Sequence, residues 1–215
     1  SESVDTILSP KKEINGISLL DWTLKAALKS IIHNNITIAT PDKNIRDMVY
    51  SKYGNKVKVI MRKKEHARFN FPLEKTIIDF LKSDSIKNNK PDALMILYPE
   101  YPFKKSWQIN EAIDTMKLFD VDVVDGIIPD NRVFYQHKGK GLVPLVDGGG
   151  LHMERDELYR RVGGIHLIKT DFFLKYKKMI AGKIGHIQFD EFTSFQIKSM
   201  IDWHLAETIL QNNQN

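Results

Sequence analysis

The side chains best suited to chemistry in this sequence are basic ones that follow predicted strands. Lys11 and Lys12 come soon after a short apolar run at residues 4–8, where an ammonium group could neutralise a phosphate. The chain carries a net charge of +5 and an isoelectric point of about 9.2. Such a balance suits polyanionic ligands. The alternative interpretation is that both lysines are solvated in a turn.

Nucleic acid and membranes are not expected as partners. The lysines are scattered along the chain, without the interleaved aromatic side chains of a single-strand binding face. No apolar run approaches the length of a bilayer span, and residues 1–9 lack the regions of a signal peptide. The chain contains no cysteine, which excludes disulfides and thiolate sites. These features favour a cytoplasmic protein.

Other catalytic chemistries lack their residue patterns. No serine lies in a nucleophile-elbow context, and residues 148–150 form a glycine run without the Lys-Ser/Thr of a P-loop. The spacing of the histidines does not match a recognised set of metal ligands. Isolated surface or core positions are the simpler interpretation of His66, His137, His152 and His166.

Apolar strands alternating with amphipathic helices would position the basic side chains. Strands are predicted at residues 4–8, 36–39, 57–61, 93–97, 121–128 and 163–168. Helices are predicted at residues 19–32, 44–52, 72–81, 106–118, 171–181 and 201–210. This alternation predicts a Rossmann-like α/β fold, a mostly parallel sheet with helices on both faces. Ligands of such sheets bind beyond the carboxyl ends of the strands, here at residues 9–10, 40–42, 98–100 and 196–198.

A glycine-rich stretch at residues 132–152 is predicted to be an inserted hairpin, with strands at residues 134–135 and 142–146. Short strands are also predicted at residues 186–189 and 195–197, and Ser106 is predicted to be a helix N-cap. We expect residues 1–215 to form a single domain.

Four segments, taken in order, carry the motifs of one enzyme family. They read NGISLLDWTLKAAL at residues 15–28, LYPEYPFK at 97–104, RRVGGIH at 160–166 and SFQIKSMIDWHLAE at 194–207. They resemble NGKPLLAYTIEAAL, LQPTSPLR, RPNGAIY and SIDIDTPEDLELAE of the acylneuraminate (CMP-sialic acid synthetase-like) cytidylyltransferases. The resemblance covers nearly the whole chain, from about residue 17 to residue 207.

The resemblance implies a fold of the nucleotide-diphospho-sugar transferase type and a nucleotidyl transfer. CMP would pass from CTP to a sialic-acid-like or ulosonic acid, with release of pyrophosphate, to form a nucleotide sugar for polysaccharide biosynthesis. Such transfers depend on positioning and on charge neutralisation by basic side chains and a divalent metal. Family members are commonly dimers joined through the inserted segment, so the resemblance also implies a homodimer.

The resemblance implies a role for several side chains. Phosphate would be neutralised by Lys11, Lys12 and Lys198. The nucleotide would be faced by Thr40, Arg62 and Tyr98. The acid sugar would be held by Arg155, Arg160 and Lys104, because a carboxylate is best bound by basic and especially guanidinium groups. Glu100 would be the ligand of a Mg²⁺ ion.

Two motifs depart from the family pattern. Gln196 and Lys198 stand where the family has its paired metal-binding aspartates, and the loop at residues 10–13 lacks the family's glycines and arginine. Asp202 matches a later aspartate of the family, but we interpret it as a helix-capping residue. The alternative function is therefore a catalytically degenerate paralogue that binds a nucleotide, a sugar or a partner chain.

Overall fold

The computed structural model describes residues 9–63, 72–83, 86, 89–145 and 158–212. The strands are β1 (Glu13–Ile14), β2 (Ile17–Ser18), β3 (Ile36–Thr40), β4 (Val57–Met61), β5 (Ala93–Leu97), β6 (Val123–Pro129), β7 (Tyr135–His137), β8 (Leu142–Pro144), β9 (Tyr159–Lys169) and β10 (Ile184–Gln188). The helices are α1 (Leu19–Leu28), α2 (Lys43–Tyr53), α3 (Leu73–Lys82), α4 (Ser106–Phe119), α5 (Thr170–Tyr176) and α6 (Met200–Asn212).

Strand order confirms the predicted α/β fold and adds one reversed strand. The described part of the main sheet has the order β10-β6-β9-β5, and β3 pairs with β4 in parallel. Strand β10 is parallel to β6, whereas β9 is antiparallel to both of its neighbours. Three of these four strands therefore run in one direction, as expected of a mostly parallel sheet. The strand predicted at residues 4–8 lies outside the described residues.

Helices cover both faces of the sheet, because neighbouring strand residues point to opposite sides. Val124 faces a core that includes Leu24 of α1 and Ile109 of α4. Val123, the residue before it, faces a second core with Ile77 of α3 and Phe173 of α5. The apolar strands of the sheet are thus sandwiched between two helical layers, as in other α/β folds.

A third cluster fixes the C-terminal helix beside the start of the chain. Trp203 of α6 is buried with Ile14 of β1, Phe103 and Ile197. Phe103 also stacks on Phe192, with ring centroids 4.4 Å apart. Burying such large side chains stabilises a fold by about 1.5–3 kcal/mol each. The cluster therefore holds residues 192–203 against the segment that follows β5.

Four local predictions were wrong. Helix α1 ends at Leu28, because residues after it turn and the Ser30 hydroxyl donates to the Ala27 carbonyl oxygen at 2.7 Å. Helix α5 ends at Tyr176, followed by Lys177 in the left-handed region. The N-cap of α4 is Lys105, whose N–H donates to the side chain of Gln108 at 2.8 Å. Residues 195–197 form no strand.

A bulge interrupts β9 where it crosses β6. Asp125 of β6 is opposite His166, but the next residue, Gly126, is opposite Val162, so residues 163–165 have no partner on β6. The small residues there are required by close packing: a Cβ on Gly163 would lie 2.9 Å from the Tyr101 ring. Bulges of this kind bend a strand and redirect its side chains.

Strands β7 and β8 pair in the stretch where a hairpin is predicted. Tyr135 is opposite Pro144, and His137 is opposite Leu142. Both strands are exposed along their length. Their apolar side chains face solvent, including Leu142 at 66% and Tyr135 at 57% exposure. The described part of the hairpin therefore presents apolar side chains to solvent.

Candidate active site

The loop at residues 9–12 lies beside the start of α1. The N–H of Leu20 donates to the Pro10 carbonyl and the N–H of Leu19 donates to the Lys12 carbonyl, each at 3.0 Å. Lys12 Nζ lies over the Trp203 ring, 4.5 Å from its centroid, in a cation–π contact. Lys12 is thus held against α6 rather than extended into solvent.

Lys11 is paired with an acidic residue at the carboxyl end of β3. Its Nζ lies 2.6 Å from Asp42 Oδ2, and both side chains are 37% exposed. The Lys11 ammonium, together with the N–H of Asn44, holds the pKa of Asp42 below its usual range. Asp42 also caps α2 by accepting from the N–H of Asn44 at 2.8 Å. A phosphate could reach Lys11 only in competition with this carboxylate.

Thr40 and Arg62 lie together at the carboxyl ends of β3 and β4. The Arg62 N–H donates to the Thr40 carbonyl at 3.0 Å. Burial lowers the pKa of Arg62, and its buried Nε has no hydrogen-bond acceptor in the described structure. A buried, unpartnered guanidinium N–H is costly, so this atom is available to an incoming acceptor.

A cavity of about 350 Å³ adjoins Arg62, between the end of β4 and α3. Thr76 of α3 lines it with a buried hydroxyl that also has no partner within the described ranges. Lys63 and Lys82 add two further positive charges to its walls and Asp79 adds one negative charge, so the lining is positive overall. The volume falls at the small end of the range for ligand sites, and the lining suits a polar, anionic group.

The loop after β5 meets the segment at residues 196–198. The Ile197 N–H donates to the Glu100 carbonyl at 2.9 Å, which brings two predicted site segments together. Tyr98 and Glu100 are half-buried, and burial raises the pKa of the Tyr98 phenol. Lys198 is exposed. Glu100, Gln196 and Lys198 are therefore neighbours along one edge of the sheet.

Lys104 lies beneath this loop, fully buried. Its ammonium donates to the carbonyls of Tyr98 at 2.9 Å and Tyr101 at 2.5 Å, and to the Thr23 hydroxyl at 3.0 Å. All three of its N–H donors are therefore used by the protein. Burial lowers the pKa of Lys104 to about 7. This geometry assigns Lys104 to holding the Tyr98–Tyr101 loop, in place of the sugar contact that the resemblance implies.

Asp202 caps α6, as predicted. Its Oδ2 accepts from the N–H of Lys198 at 2.9 Å and from the N–H of Ser199 at 2.8 Å. The carboxylate is thus occupied by backbone donors at a helix N-terminus. Among the described residues, no three His, Asp or Glu side chains lie close enough together to hold a metal ion.

Arg160 lies in an ion cluster on one side of β9. Its Nε is 3.4 Å from Asp130 Oδ2, and its side chain is 46% exposed. Arg132 engages the same carboxylate more closely, at 2.5 Å. The hydrogen bonds from Arg132 lower the pKa of Asp130 to about 2. The predicted sugar residue Arg155, like His66 and His152, lies outside the described residues.

A second cluster on β9 was not predicted from the sequence. Arg161 Nε lies 2.9 Å from Asp125 Oδ1, and the same oxygen is 2.6 Å from His166 Nδ1. Asp125 and His166 are buried in the sheet. The sequence signals were an aspartate inside an apolar strand and the presence of Arg161 and His166 in the RRVGGIH motif.

Both the order of the strands and the basic groups at their carboxyl ends suit an anionic ligand held over one edge of the sheet. A family model described as cytidylyltransferase matches residues 10–206. The chain belongs to the cytidylyltransferase family. It therefore belongs with the proteins whose motifs it resembles.

Individual relatives agree with this membership. The CMP-N,N'-diacetyllegionaminic acid synthase of Legionella pneumophila is 24% identical over 205 residues, 93% of this chain and 88% of the relative. The 3-deoxy-manno-octulosonate cytidylyltransferase of Fusobacterium nucleatum is 23% identical over 189 residues, 83% of this chain and 74% of the relative.

A solved structure shares the fold. The crystal structure of CMP:2-keto-3-deoxy-manno-octonic acid synthetase complexed with CTP superposes with a TM-score of 0.68 at 11% identity, covering 95% of this chain and 92% of the other. The similarity confirms the predicted nucleotidyltransferase-type fold. None of the described helices is long and apolar enough to cross a bilayer.

Proposed function

We propose that this protein transfers CMP from CTP to an acid sugar. A sugar hydroxyl oxygen attacks the α-phosphorus, the bond to the β-phosphate oxygen breaks, and pyrophosphate leaves. The observation that carries the proposal is the buried, unpartnered Nε of Arg62 at the carboxyl edge of the sheet. The two relatives, a CMP-N,N'-diacetyllegionaminic acid synthase and a 3-deoxy-manno-octulosonate cytidylyltransferase, support the same substrate class.

CTP would lie across the ends of β3, β4 and β5. Arg62 and Thr40 are adjacent there, and Tyr98 lies on the neighbouring loop. Lys11 would exchange its Asp42 carboxylate for a phosphate oxygen, while Lys12, held over Trp203 of α6, adds positive charge. Neutralisation of the phosphoryl oxygens by such cations is the main catalytic contribution in phosphoryl transfer.

The acid sugar would lie toward β9, where Arg160 and Arg161 begin the strand. Arg160 retains exposed guanidinium surface despite its contact with Asp130, and the resemblance adds Arg155. Lys198, exposed beside Glu100, would neutralise phosphate at the junction of the two substrates. Lys104 would contribute indirectly by fixing the loop between them.

Mg²⁺ is the metal expected of this family, and it would supply charge neutralisation at the phosphates. The protein oxygens at residues 98–100 and 196–198 fit it only in part: Glu100 offers one carboxylate and Gln196 one amide oxygen. Mg²⁺ commonly takes one or two carboxylates and completes its octahedron with substrate phosphates and water. Glu100 and Gln196 are therefore the residues that would hold the ion.

Pyrophosphate release tests the proposal. Purified protein would be mixed with CTP, Mg²⁺ and a panel of N-acetylneuraminate, N,N'-diacetyllegionaminate and 3-deoxy-manno-octulosonate. We expect pyrophosphate with at least one acid, and more with CTP than with ATP, GTP or UTP. Absence of pyrophosphate with every acid, while CTP still binds by calorimetry, would refute the enzymatic proposal.

The chain would act as a single-domain homodimer in the cytoplasm, where CTP is available. The exposed hairpin β7–β8 is the surface proposed for the dimer contact, since its apolar side chains need a cover. Sedimentation should give a dimer, and the double substitution Leu142→Lys with Val143→Lys should give a monomer. A monomeric wild-type protein would contradict this assembly.

A catalytically degenerate binding protein is the second candidate function. The observation that favours it is Lys198, a cation placed where the family has a metal-binding aspartate, together with the use of Asp202 as a helix cap. Such a protein would bind CTP or an acid sugar without turnover. The calorimetric arm of the pyrophosphate experiment separates the two functions.

A further inference from the structure

Arg161 and His166 touch although they are five residues apart on one strand. An extended strand rises about 3.3 Å per residue, so such residues lie about 16 Å apart and point to opposite faces. Here Arg161 Nη2 is 3.0 Å from His166 Nδ1. The backbone between them therefore cannot be fully extended.

The β9 bulge explains this contact. Residues 163–165 are extra relative to β6, so Val162 follows His166 directly in the pairing with that strand. Because the insertion contains an odd number of residues, it returns Arg161 to the face of Asp125 and His166. Gly163 makes the bulge possible, since any Cβ there would collide with Tyr101. Bulges near functional sites commonly serve to re-aim a side chain.

Asp125 and His166 form a rigid support for the guanidinium. A carboxylate only accepts hydrogen bonds, so His166 Nδ1–H donates to Asp125 Oδ1 at 2.6 Å. The same oxygen accepts from Arg161 Nε at 2.9 Å. The Asp125 and His166 side chains are 6% and 0% exposed, whereas that of Arg161 is 39% exposed. The supporting groups are buried and the supported one faces outward.

Several donors and acceptors of this cluster are left for a ligand. With Nε engaged by Asp125, Arg161 retains Nη N–H groups in the fork geometry that suits a carboxylate. His166 Nε2 is buried and has no partner in the described part of the chain. A buried acceptor or donor without a partner costs free energy, and a ligand hydroxyl would satisfy it.

The cluster also lies within the candidate site. A Cβ on Gly163, two residues from Arg161, would lie 2.9 Å from the ring of Tyr101 in the loop after β5, and Leu97 at the end of β5 is opposite Ile165. Arg161 is therefore near the loop that meets residues 196–198. Arg160, the neighbouring residue, is turned to Asp130, which Arg132 also engages.

We propose that Arg161, held on the β9 bulge by Asp125, which His166 orients in turn, binds the carboxylate of the acid sugar. The inference rests on the proposed function, since it names a residue that selects the acidic substrate. Asp125 and His166 are positioning residues. The proposed CMP transfer and the proposed nucleotide contacts do not require that Arg161, rather than another cation, holds the carboxylate.

Free acids and their methyl esters provide the direct test. Calorimetry with CTP-loaded wild-type protein should show tighter binding of the acids of the panel than of their methyl esters. Arg161→Gln should weaken acid binding about tenfold or more, the size of a lost charged hydrogen bond, and leave ester and CTP binding unchanged. The matched control is Arg132→Gln, an exposed arginine of the neighbouring cluster.

The positioning role has its own readout. Asp125→Asn should raise KM for the acid about threefold to tenfold, with kcat and KM for CTP nearly constant, whereas a general loss of structure would change all three. Asp125→Glu should restore part of the loss. Circular dichroism would confirm that each variant is folded.

The outcomes separate the inference from the function. Equal loss of acid and ester binding in Arg161→Gln, or loss of discrimination in Arg160→Gln instead, would overturn the inference while pyrophosphate release stands. Acid binding that depends on Arg161 without any pyrophosphate release would overturn the function and retain the inference. Failure of wild-type protein to bind any acid of the panel would overturn both.

Discussion

The edge formed by β3 and β4 differs from the edge formed by the β5 loop and residues 196–198. At the first, Arg62 and Thr76 carry buried polar atoms without partners in the described structure. At the second, the polar atoms of Lys104 and Asp202 are hydrogen-bonded to the protein's own backbone. The first edge is prepared for a ligand, whereas the second is prepared to hold its own loops.

The largest expected effect concerns the second edge, in Lys104→Met. The pKa of Lys104 is lowered by burial to about 7, so between pH 7 and its unfolded pKa of 10.5 the unfolded state binds more protons. The free energy of unfolding of the wild type should therefore rise with pH relative to the variant, by about 1 kcal/mol per pH unit.

Urea unfolding of both proteins at four pH values from 6.5 to 9.5 (roughly one unit apart, within the window of this linkage) measures the difference. The contribution of Lys104 is smallest below pH 7, where the ammonium is charged in both states. A difference that does not change with pH would show that the amine stays charged, held by its three oxygen acceptors.

Arg62→Gln tests the first edge and should have the next largest effect. Removing the guanidinium beside the 350 Å³ cavity should weaken CTP binding by about ten- to thirtyfold, because a charge-assisted hydrogen bond is lost. Calorimetry measures the affinity. Arg46→Gln is the matched control, since Arg46 pairs with Asp47 on the outer surface of α2. Equal effects of both substitutions would assign the loss to net charge alone.

Introducing carboxylates at residues 196 and 198, where the family has aspartates, should make the second edge better able to bind a ligand through Mg²⁺. In the double variant Gln196→Asp with Lys198→Asp, two carboxylates join Glu100, and Mg²⁺ should then strengthen CTP binding by about five- to tenfold. The wild type should show a smaller dependence on Mg²⁺. No gain in the variant would mean that the backbone at residues 196–198 does not present these positions to the phosphates.

The smallest effect is expected from Asp42→Asn. Asparagine also caps helices, so α2 should remain intact while Lys11 is released from its ion pair. CTP binding should improve by about twofold to threefold at low salt and less at high salt, as for any exposed charge. The pair lowers the pKa of Asp42, so its contribution to wild-type stability persists above that group's unfolded pKa and is lost as pH falls through the folded one.

The sequence predicted the elements better than the contacts between side chains. The strands at residues 57–61 and 93–97 were predicted to the residue, because the second is a continuous apolar run and the first is interrupted only by Lys58, which leaves little choice of boundary. The burial of Lys104 could not be predicted from the sequence, because it depends on acceptors from two segments that are distant in the chain, Thr23 and the Tyr98–Tyr101 loop. Arg161 was overlooked beside Arg160, because a bulge reverses the face that simple alternation assigns to it.

Strand β9 also decides when this chain can fold during synthesis. It pairs with β5 on one side and with β6 on the other. In the pairing with β5, Ala93 is opposite Lys169, so the paired residues are more than sixty positions apart in the chain. Strands β5 and β6 do not pair with each other, since β9 lies between them. The centre of the sheet therefore stays open until about residue 169 has left the ribosome, with two apolar strand edges exposed. Such delayed, long-range closure is slow and prone to aggregation, so expression at low temperature should favour soluble protein.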